Sequence, residues 1–373
     1  MQLEIFNFRS GQILNYTDGK ETDDYLEIKL EGLADSEAFV TIDGVPAARM
    51  DTRFWGTVQL TKRINEVNVV SASQYGDMKL TLTLVWDKKS YKRYNFFIDD
   101  HSFFLTDIAK ERPKSLFDHF YLAALRKIHQ DYGTRFTLNC FYRNDHFPFE
   151  MKDFPDTYKS EFEDNANWLR LAFHAYSEFP DRPYQHASAA KLAADYDLVA
   201  SEIVRFAGEK TLTPPVCLHW GMARPDAFGV LHDRGVRVLE GQFLCAKTSV
   251  AEAPSASRVG DVGYYYERDV SEYLASKYYF YDRFTDMYLY KSVMTVNLVK
   301  TEDVTGILNG IIANPLCNMT VGLASHEQYS FPYYKNYQPD HVARLGLAAK
   351  TMTEAGYTPA HFADGLFGNT AWG

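Results

Sequence analysis

The sequence predicts an α/β protein in two parts: a small all-β sandwich over residues 1–90, Ig-like in pattern, and a β/α barrel over residues 91–373. Three observations carry this. The first ninety or so residues alternate apolar and polar side chains with no helix-period segment. From Asn95 onward, apolar runs of strand length alternate with amphipathic helical stretches, the signature of parallel βα units. Unusual polar residues then gather where those apolar runs end, the end of a β/α barrel strand at which such folds assemble their sites.

In the N-terminal part the alternating segments are DYLEIKLEGL, AFVTIDGV, GTVQLTKRI, NVVSAS and KLTLTLVWD, separated by the turn signals TDGK, IDGV and QYGD. The basic stretch DKKSYKRY links them to the first barrel strand, NFFIDD. Ser115 is an N-cap candidate with Asp118 three residues on, and Phe117, Phe120, Tyr121, Ala124 and Ile128 keep one apolar face until Gly133. The strand TRFTLNCFY follows, then a helix around KSEFEDNANW, the strand WLRLAFHAY and the long helix SAAKLAADYDLVASEIVRFAG. Next come the strand PPVCLHW, the helix PDAFGVLHDRG and the strand VRVLEGQF. The chain closes with the helix EDVTGILNGIIAN, the strand NMTVGLASHE and the helix DHVARLGLAAKTMTEAG. About seven or eight βα units favour a barrel over an open sheet. Between Gly260 and Lys300 the tyrosine-rich pattern reads as extended, either hairpin strands with ordinary aromatic packing or rings lining a groove.

A net charge of -10 and a pI near 5.6 argue against nucleic acid or an anionic membrane surface as partner. No run reaches membrane-spanning length and the N-terminus lacks a signal-peptide pattern, so the expected location is cytoplasmic. Cys140, Cys217, Cys245 and Cys317 lie far apart, three within apolar runs, and read as reduced core residues. Oligomeric state leaves no mark in the sequence.

The polar residues at strand ends are Asp99, Asp100 and His101 after the first barrel strand, His174 with Glu178 after the third, His219 and Trp220 after the fourth, Glu240 after the fifth, and His326 with Glu327 after the last. A divalent ion with a vacant position takes about three protein ligands drawn from imidazole and carboxylate, and Asp100, His174 and Glu178 supply an O,N,O set. Asp99 beside it suits a base and a histidine opposite suits an acid. Singly, each residue has a plainer reading: an Asp-Asp pair is often a turn, and a lone histidine is often a core residue with its hydrogen bonds satisfied.

In order along the chain, these residues resemble the NodB-homology polysaccharide deacetylases, metal-dependent carbohydrate esterases on a distorted (β/α)7 barrel. FFIDD resembles the first motif, implying Asp99 as base and Asp100 as metal ligand. FHAYSE stands at the second motif, His-Ser/Thr-x-x-His, with His174 as first ligand and Glu178 where the second histidine is expected. MARPDAFG resembles the Arg/Pro-containing third motif and implicates Arg224. VGLASHE resembles the last motif and implies His326 as general acid, with Glu327 where aspartate is usual. Glu240 is the nearest candidate for the fourth motif. The resemblance implies a divalent ion (zinc first; cobalt, nickel or manganese as alternatives) and a saccharide substrate, with Arg224, Trp220, His219, Glu240, Glu327 and His101 placed along the groove. Two other functions fit the same residues: a glycoside hydrolase with Asp99 paired to Glu240 or Glu327, and a glycan-binding protein with a decayed metal site.

Overall fold

The computed structural model describes residues 2–241 and 268–372. The chain divides into two compact units, Met1–Ser90 with Tyr279–Phe284 and Asn369–Gly373, and Tyr91–Tyr278 with Thr285–Gly368. Cys245 and the start of the tyrosine-rich stretch lie outside the described residues.

The first unit holds two five-stranded sheets. One runs in the order Leu3–Ile5, Leu26–Ala34, Arg53–Leu60, Ala48–Met50, with Lys20–Glu21 also on Leu26–Ala34. The other runs Ile13–Leu14, Gly76–Trp86, Ile64–Ser73, Phe39–Ile42, Val45–Pro46. Pairing is antiparallel apart from Ile13–Leu14, which lies parallel to the end of Gly76–Trp86. Because strand side chains alternate between faces, Leu26, Ile28 and Leu30 point inward with Val40, Val67, Val69, Leu82 and Leu84, and residues of both sheets form one hydrophobic cluster. Trp86 is fully buried there, donating from Nε1 to Glu21 Oε1 at 2.6 Å and meeting Trp372 edge-on at 5.1 Å.

The second unit is built on a parallel sheet in the order Leu169–Ala175, Phe136–Phe141, Arg93–His101, Thr320–His326, Met294–Thr295, with Thr358–Pro359 on the first part of Arg93–His101. Arg93–His101 is buried along its whole length, as a central parallel strand covered on both faces is, and its apolar centre is Phe96–Ile98. A separate parallel pair joins Val238–Glu240 to Met287–Tyr290. Among the described residues these ladders do not close into a ring; isolated backbone contacts stand where ladder is missing, a parallel bridge in which Leu171 N donates to Thr211 O and Thr213 N to Leu171 O, and the bonds from Glu240 N to Val216 O and Val293 N to Gly322 O. The unit is thus mixed α/β with parallel strands, and a closed barrel is not seen.

Several elements differ from expectation. PPVCLHW does not form a strand: Pro214 and Pro215 have no N–H to give a ladder, and the segment is irregular up to the 3-10 turn His219–Gly221. A helix not foreseen, Phe103–Glu111, follows the first barrel strand directly. Ser115 caps the 3-10 turn Leu116–Asp118 in a full capping box with Asp118, and the helix proper is Phe120–Tyr132, closed by Gly133 at φ 69. Residues read as extended at 268–277 are helical, Arg268–Lys277. Tyr288 and Tyr290 are core rings, against Phe367 at 5.9 Å and against Phe362 at 5.2 Å respectively. Cys140, Cys217 and Cys317 are free and buried. Among the described residues, no helix is long and apolar enough to cross a membrane.

Candidate metal centre

Neighbouring residues of a regular strand face opposite ways, so Asp99 and Asp100 could not both serve one site without a break in the pleat. The break is present. Ile98 pairs with Leu138 and His101 with Cys140, so three steps on one strand meet two on the other, and Asp100 takes φ 68. The next strand pair repeats the device: Cys140 pairs with Phe173 and Phe141 with Ala175, leaving His174 as the extra residue. Two β-bulges, at the ends of the strands on either side of Phe136–Phe141, therefore re-aim an aspartate and a histidine toward each other.

His219, the first residue of the 3-10 turn His219–Gly221 in which Trp220 takes φ 66, completes the group. His174 Nε2 lies 3.2 Å from Asp100 Oδ1 and 3.2 Å from His219 Nδ1, and His219 Nδ1 lies 3.5 Å from Asp100 Oδ1. All three residues are buried, and they are the cluster of potential metal ligands found among the described residues.

The protons in this triangle are fixed from outside it. His174 Nδ1 faces the carbonyl of Cys217 at 3.2 Å, and His219 Nε2 faces the carbonyl of Glu178 at 2.9 Å. Carbonyl oxygens only accept, so each ring spends its one neutral-state proton there. His174 Nε2, His219 Nδ1 and Asp100 Oδ1 are then three lone-pair atoms turned on one another. A second proton on His174 would relieve this, but burial lowers that ring to about 4. A cation relieves it instead. Tetrahedral ligands at about 2.0–2.1 Å from zinc stand about 3.3 Å apart, close to the observed edges, and imidazoles whose other N–H is held by backbone carbonyls are the usual support of such ions. The residues fit a divalent ion with three protein ligands and an open position.

Asp100 offers Oδ1 to this triangle. Its other oxygen accepts from Gln328 Nε2 at 2.8 Å. Asp99, beside the triangle, accepts from Asn139 Nδ2 at 2.7 Å and lies 3.8 Å from His174 Nδ1. Burial first, and the charge of Asp100 second, push its carboxyl well above the ordinary value. His326 is the strand partner of Asp99; its Nδ1 meets Asn297 Oδ1 at 3.0 Å, and burial lowers its pKa.

Other expected site residues lie elsewhere. The Glu178 side chain turns to His146 Nε2, and His219 occupies the position expected of it. The reason is local: Glu178 follows Ala175 in irregular chain, and its carbonyl, not its carboxylate, faces His219. Glu327 is fully buried and accepts from the amides of Ser102, Phe103 and Phe104 at 2.8, 2.9 and 2.7 Å, so it caps the Phe103–Glu111 helix and does not face a groove. His101 is a core residue between Tyr121 OH at 3.0 Å and the Asn139 carbonyl at 3.3 Å, with burial lowering it to about 3. Glu240 is buried against Cys217 Sγ at 3.4 Å and the amide of Ser292 at 3.3 Å. Arg224 is paired with Asp226 on the surface. Trp220 is 36% exposed beside His219, with the Arg182 guanidinium 5.2 Å from its ring.

Sequence reasoning missed Asn139, Gln328, Asn297 and His146. None stands in a motif, and each is brought in by a neighbouring strand or turn. Comparison with protein-family models gives no match, and comparison with curated proteins gives none. Among solved structures, a Bacteroides ovatus GH5 xyloglucanase in complex with a XXXG heptasaccharide aligns over 94% of this chain and 100% of that chain, at 8% identity and a TM-score of 0.32. At that overlap nothing of its fold or chemistry transfers.

Proposed function

We propose that the protein is a metal-dependent hydrolase that removes acetyl groups from a saccharide, a divergent relative of the NodB-homology deacetylases. The reading takes residues 91–373 as a distorted barrel and residues 1–90 as an accessory sandwich. One observation carries it: Asp100, His174 and His219 present three lone-pair atoms at ligand spacing, with the carboxyl of Asp99 alongside. In this reading His219 supplies the second imidazole that the motif lacks at Glu178.

A divalent ion held there would supply Lewis acidity, drawing charge from an acyl oxygen and making water a better nucleophile near neutral pH. Asp99 takes a proton from the attacking water; Asn139 holds one of its oxygens, which fixes the direction of the other lone pairs. His326, oriented through Nδ1 by Asn297, gives a proton from Nε2 to the departing amine or alkoxide. Asn297 also accepts from Ser325 Oγ, which meets His341 Nε2 at 2.7 Å, so the acid is backed by a buried polar chain. Trp220 is available at the rim for a sugar face.

The paired-carboxylate glycosidase has less support, because Glu327 is consumed as a helix cap and Glu240 faces a thiol and an amide. A decayed metal site is disfavoured by the complete triangle. The test is product analysis on acetylated oligosaccharides with metal-loaded and chelator-treated protein. Free acetate, lost on metal removal and in Asp99→Asn, is expected. New reducing ends without acetate, or acetate release that survives complete metal removal, would overturn the proposal.

A further inference from the structure

Tyr333 is an unusual surface aromatic. Its ring is 48% exposed, yet it is fixed on every other side. It stacks on Phe103 with centroids 5.8 Å apart and planes 1° from parallel, meets Phe147 edge-on at 5.3 Å and Phe331 at 5.5 Å, and donates its hydroxyl to Asp107 Oδ2 at 2.8 Å. The ring divides two open hollows. One, of about 670 Å³, is bordered by Thr106, Lys110, Arg112, Phe147 and Asp153; the other, of about 560 Å³, by Glu111, Asp118, His119 and Phe120. Both fall in the size range of small-molecule sites.

A chain of packed side chains links this platform to the metal centre. Phe103, behind Tyr333, also packs on His146 at 5.4 Å and Tyr334 at 5.7 Å; His146 holds the Glu178 side chain; and the Glu178 carbonyl receives His219. A rigid ring with one open face has already lost its rotamer freedom, so stacking on it costs little order. Polar side chains around an apolar face match a pyranose, which carries C–H bonds on its face and hydroxyls on its rim.

We propose that Tyr333 and Phe147 form an extended saccharide-binding platform that holds sugar units away from the reacting one, an inference that rests on the saccharide reading of the metal centre. The smaller hollow is bordered by Asp107, Glu111 and Asp118 and by no lysine or arginine. Sugar units held in that hollow are therefore neutral or amino-bearing, whereas the larger hollow, bordered by Lys110 and Arg112 as well as Asp153, makes no such selection.

The test is titration calorimetry on Asp100→Asn, which should bind without turnover, using one-unit and six-unit N-acetylglucosamine and acetylated xylose oligomers, with a hexagalacturonate as the anionic probe. A neutral six-unit oligomer should bind at least about tenfold more tightly than its monomer. Tyr333→Ala and Phe147→Ala should each lose about fivefold for the six-unit oligomer and leave the monomer unchanged. Tyr333→Phe, which keeps the ring, should stay within about twofold of the parent and guards against a folding artefact. No gain from one unit to six for any neutral oligomer, or Tyr333→Ala abolishing self-association in sedimentation, would each overturn the platform, and equal binding of hexagalacturonate would overturn the charge selection at the smaller hollow. Length-dependent binding by Asp100→Asn, with no acetate released from the same oligomers by the metal-loaded wild-type protein, would instead reject the hydrolase reading and leave the platform standing. Acetate release without length dependence would do the reverse.

Discussion

Replacing His219 with alanine should abolish metal binding, whereas Glu178→Gln should spare it. His219 Nδ1 forms two edges of the ligand triangle, 3.2 Å to His174 and 3.5 Å to Asp100. The Glu178 side chain points to His146, and only its backbone carbonyl, unchanged in the variant, touches His219. Loss of an outer-shell partner typically weakens metal binding about 10–100-fold, so removing a ligand should exceed that, and Glu178→Gln should fall at or below about tenfold. With zinc at about 100 times the wild-type Kd, binding stabilises the native protein by about 2.7 kcal/mol; at the same concentration a variant weakened more than 100-fold gains less than about 0.4 kcal/mol. Thermal unfolding with and without zinc, beside elemental analysis, reads this directly. A wild-type shift of roughly 3–8 °C should persist in Glu178→Gln and vanish in His219→Ala and His174→Ala. Loss of the shift in Glu178→Gln with retention in His219→Ala would refute the assignment and restore the ligand set expected from the sequence.

Three further tests concern the frame around the centre. His341 is buried between Ser325 Oγ and Ser330 Oγ, both at 2.7 Å, and burial lowers it to about 3. Its folded pKa is thus below the unfolded value near 6.5, so the unfolded chain binds more protons between those values and stability falls as pH drops from 6.5 toward 3. Denaturant unfolding of the metal-free protein should lose roughly 2 kcal/mol from this residue between pH 6.5 and 5, and His341→Gln should flatten that slope; an unchanged slope counts against it. Glu327→Ala strands three buried amides at the start of Phe103–Glu111 and should cost about 3 kcal/mol or more in the same assay, with a loss under about 1 kcal/mol counting against the cap. Asp100→Ala and Asp100→Gly remove the same carboxylate but differ at a backbone angle of φ 68, so metal-free Asp100→Ala should be about 1 kcal/mol less stable than Asp100→Gly, and equal midpoints would deny the strain.

Elements with strong local signals were legible in the sequence. The alternation of Leu26–Ala34 and Ile64–Ser73, the capping box at Ser115 and the apolar centre Phe96–Ile98 of Arg93–His101 each state their structure through nearest neighbours. The polar ends of strands were legible too, and Asp100 and His174 do lie together. What failed was orientation. Sequence spacing suggested that His174 and Glu178, four apart, aim at one ion, but beyond the bulge the chain is neither strand nor helix and spacing has no fixed meaning there. PPVCLHW misled in the other direction: its apolar content reads as strand, while its two prolines forbid the ladder, and the irregular path that results is what delivers His219 to Asp100.

The same bulges explain why the site escapes periodicity. A pattern of period two assumes a regular pleat, and in a regular pleat Asp99 and Asp100 face opposite sides of the sheet, so one of them faces away from His174. One inserted residue on each of the two strands flanking Phe136–Phe141 changes which side chains converge without changing the residues themselves, so the composition of the strand ends was readable and their geometry was not. Asp100 reconciles the two demands. Aspartate is among the few non-glycine residues that tolerate a left-handed backbone, and its carboxylate is also the oxygen ligand the two imidazoles need, so one residue type meets the conformational and the chemical requirement at the same position.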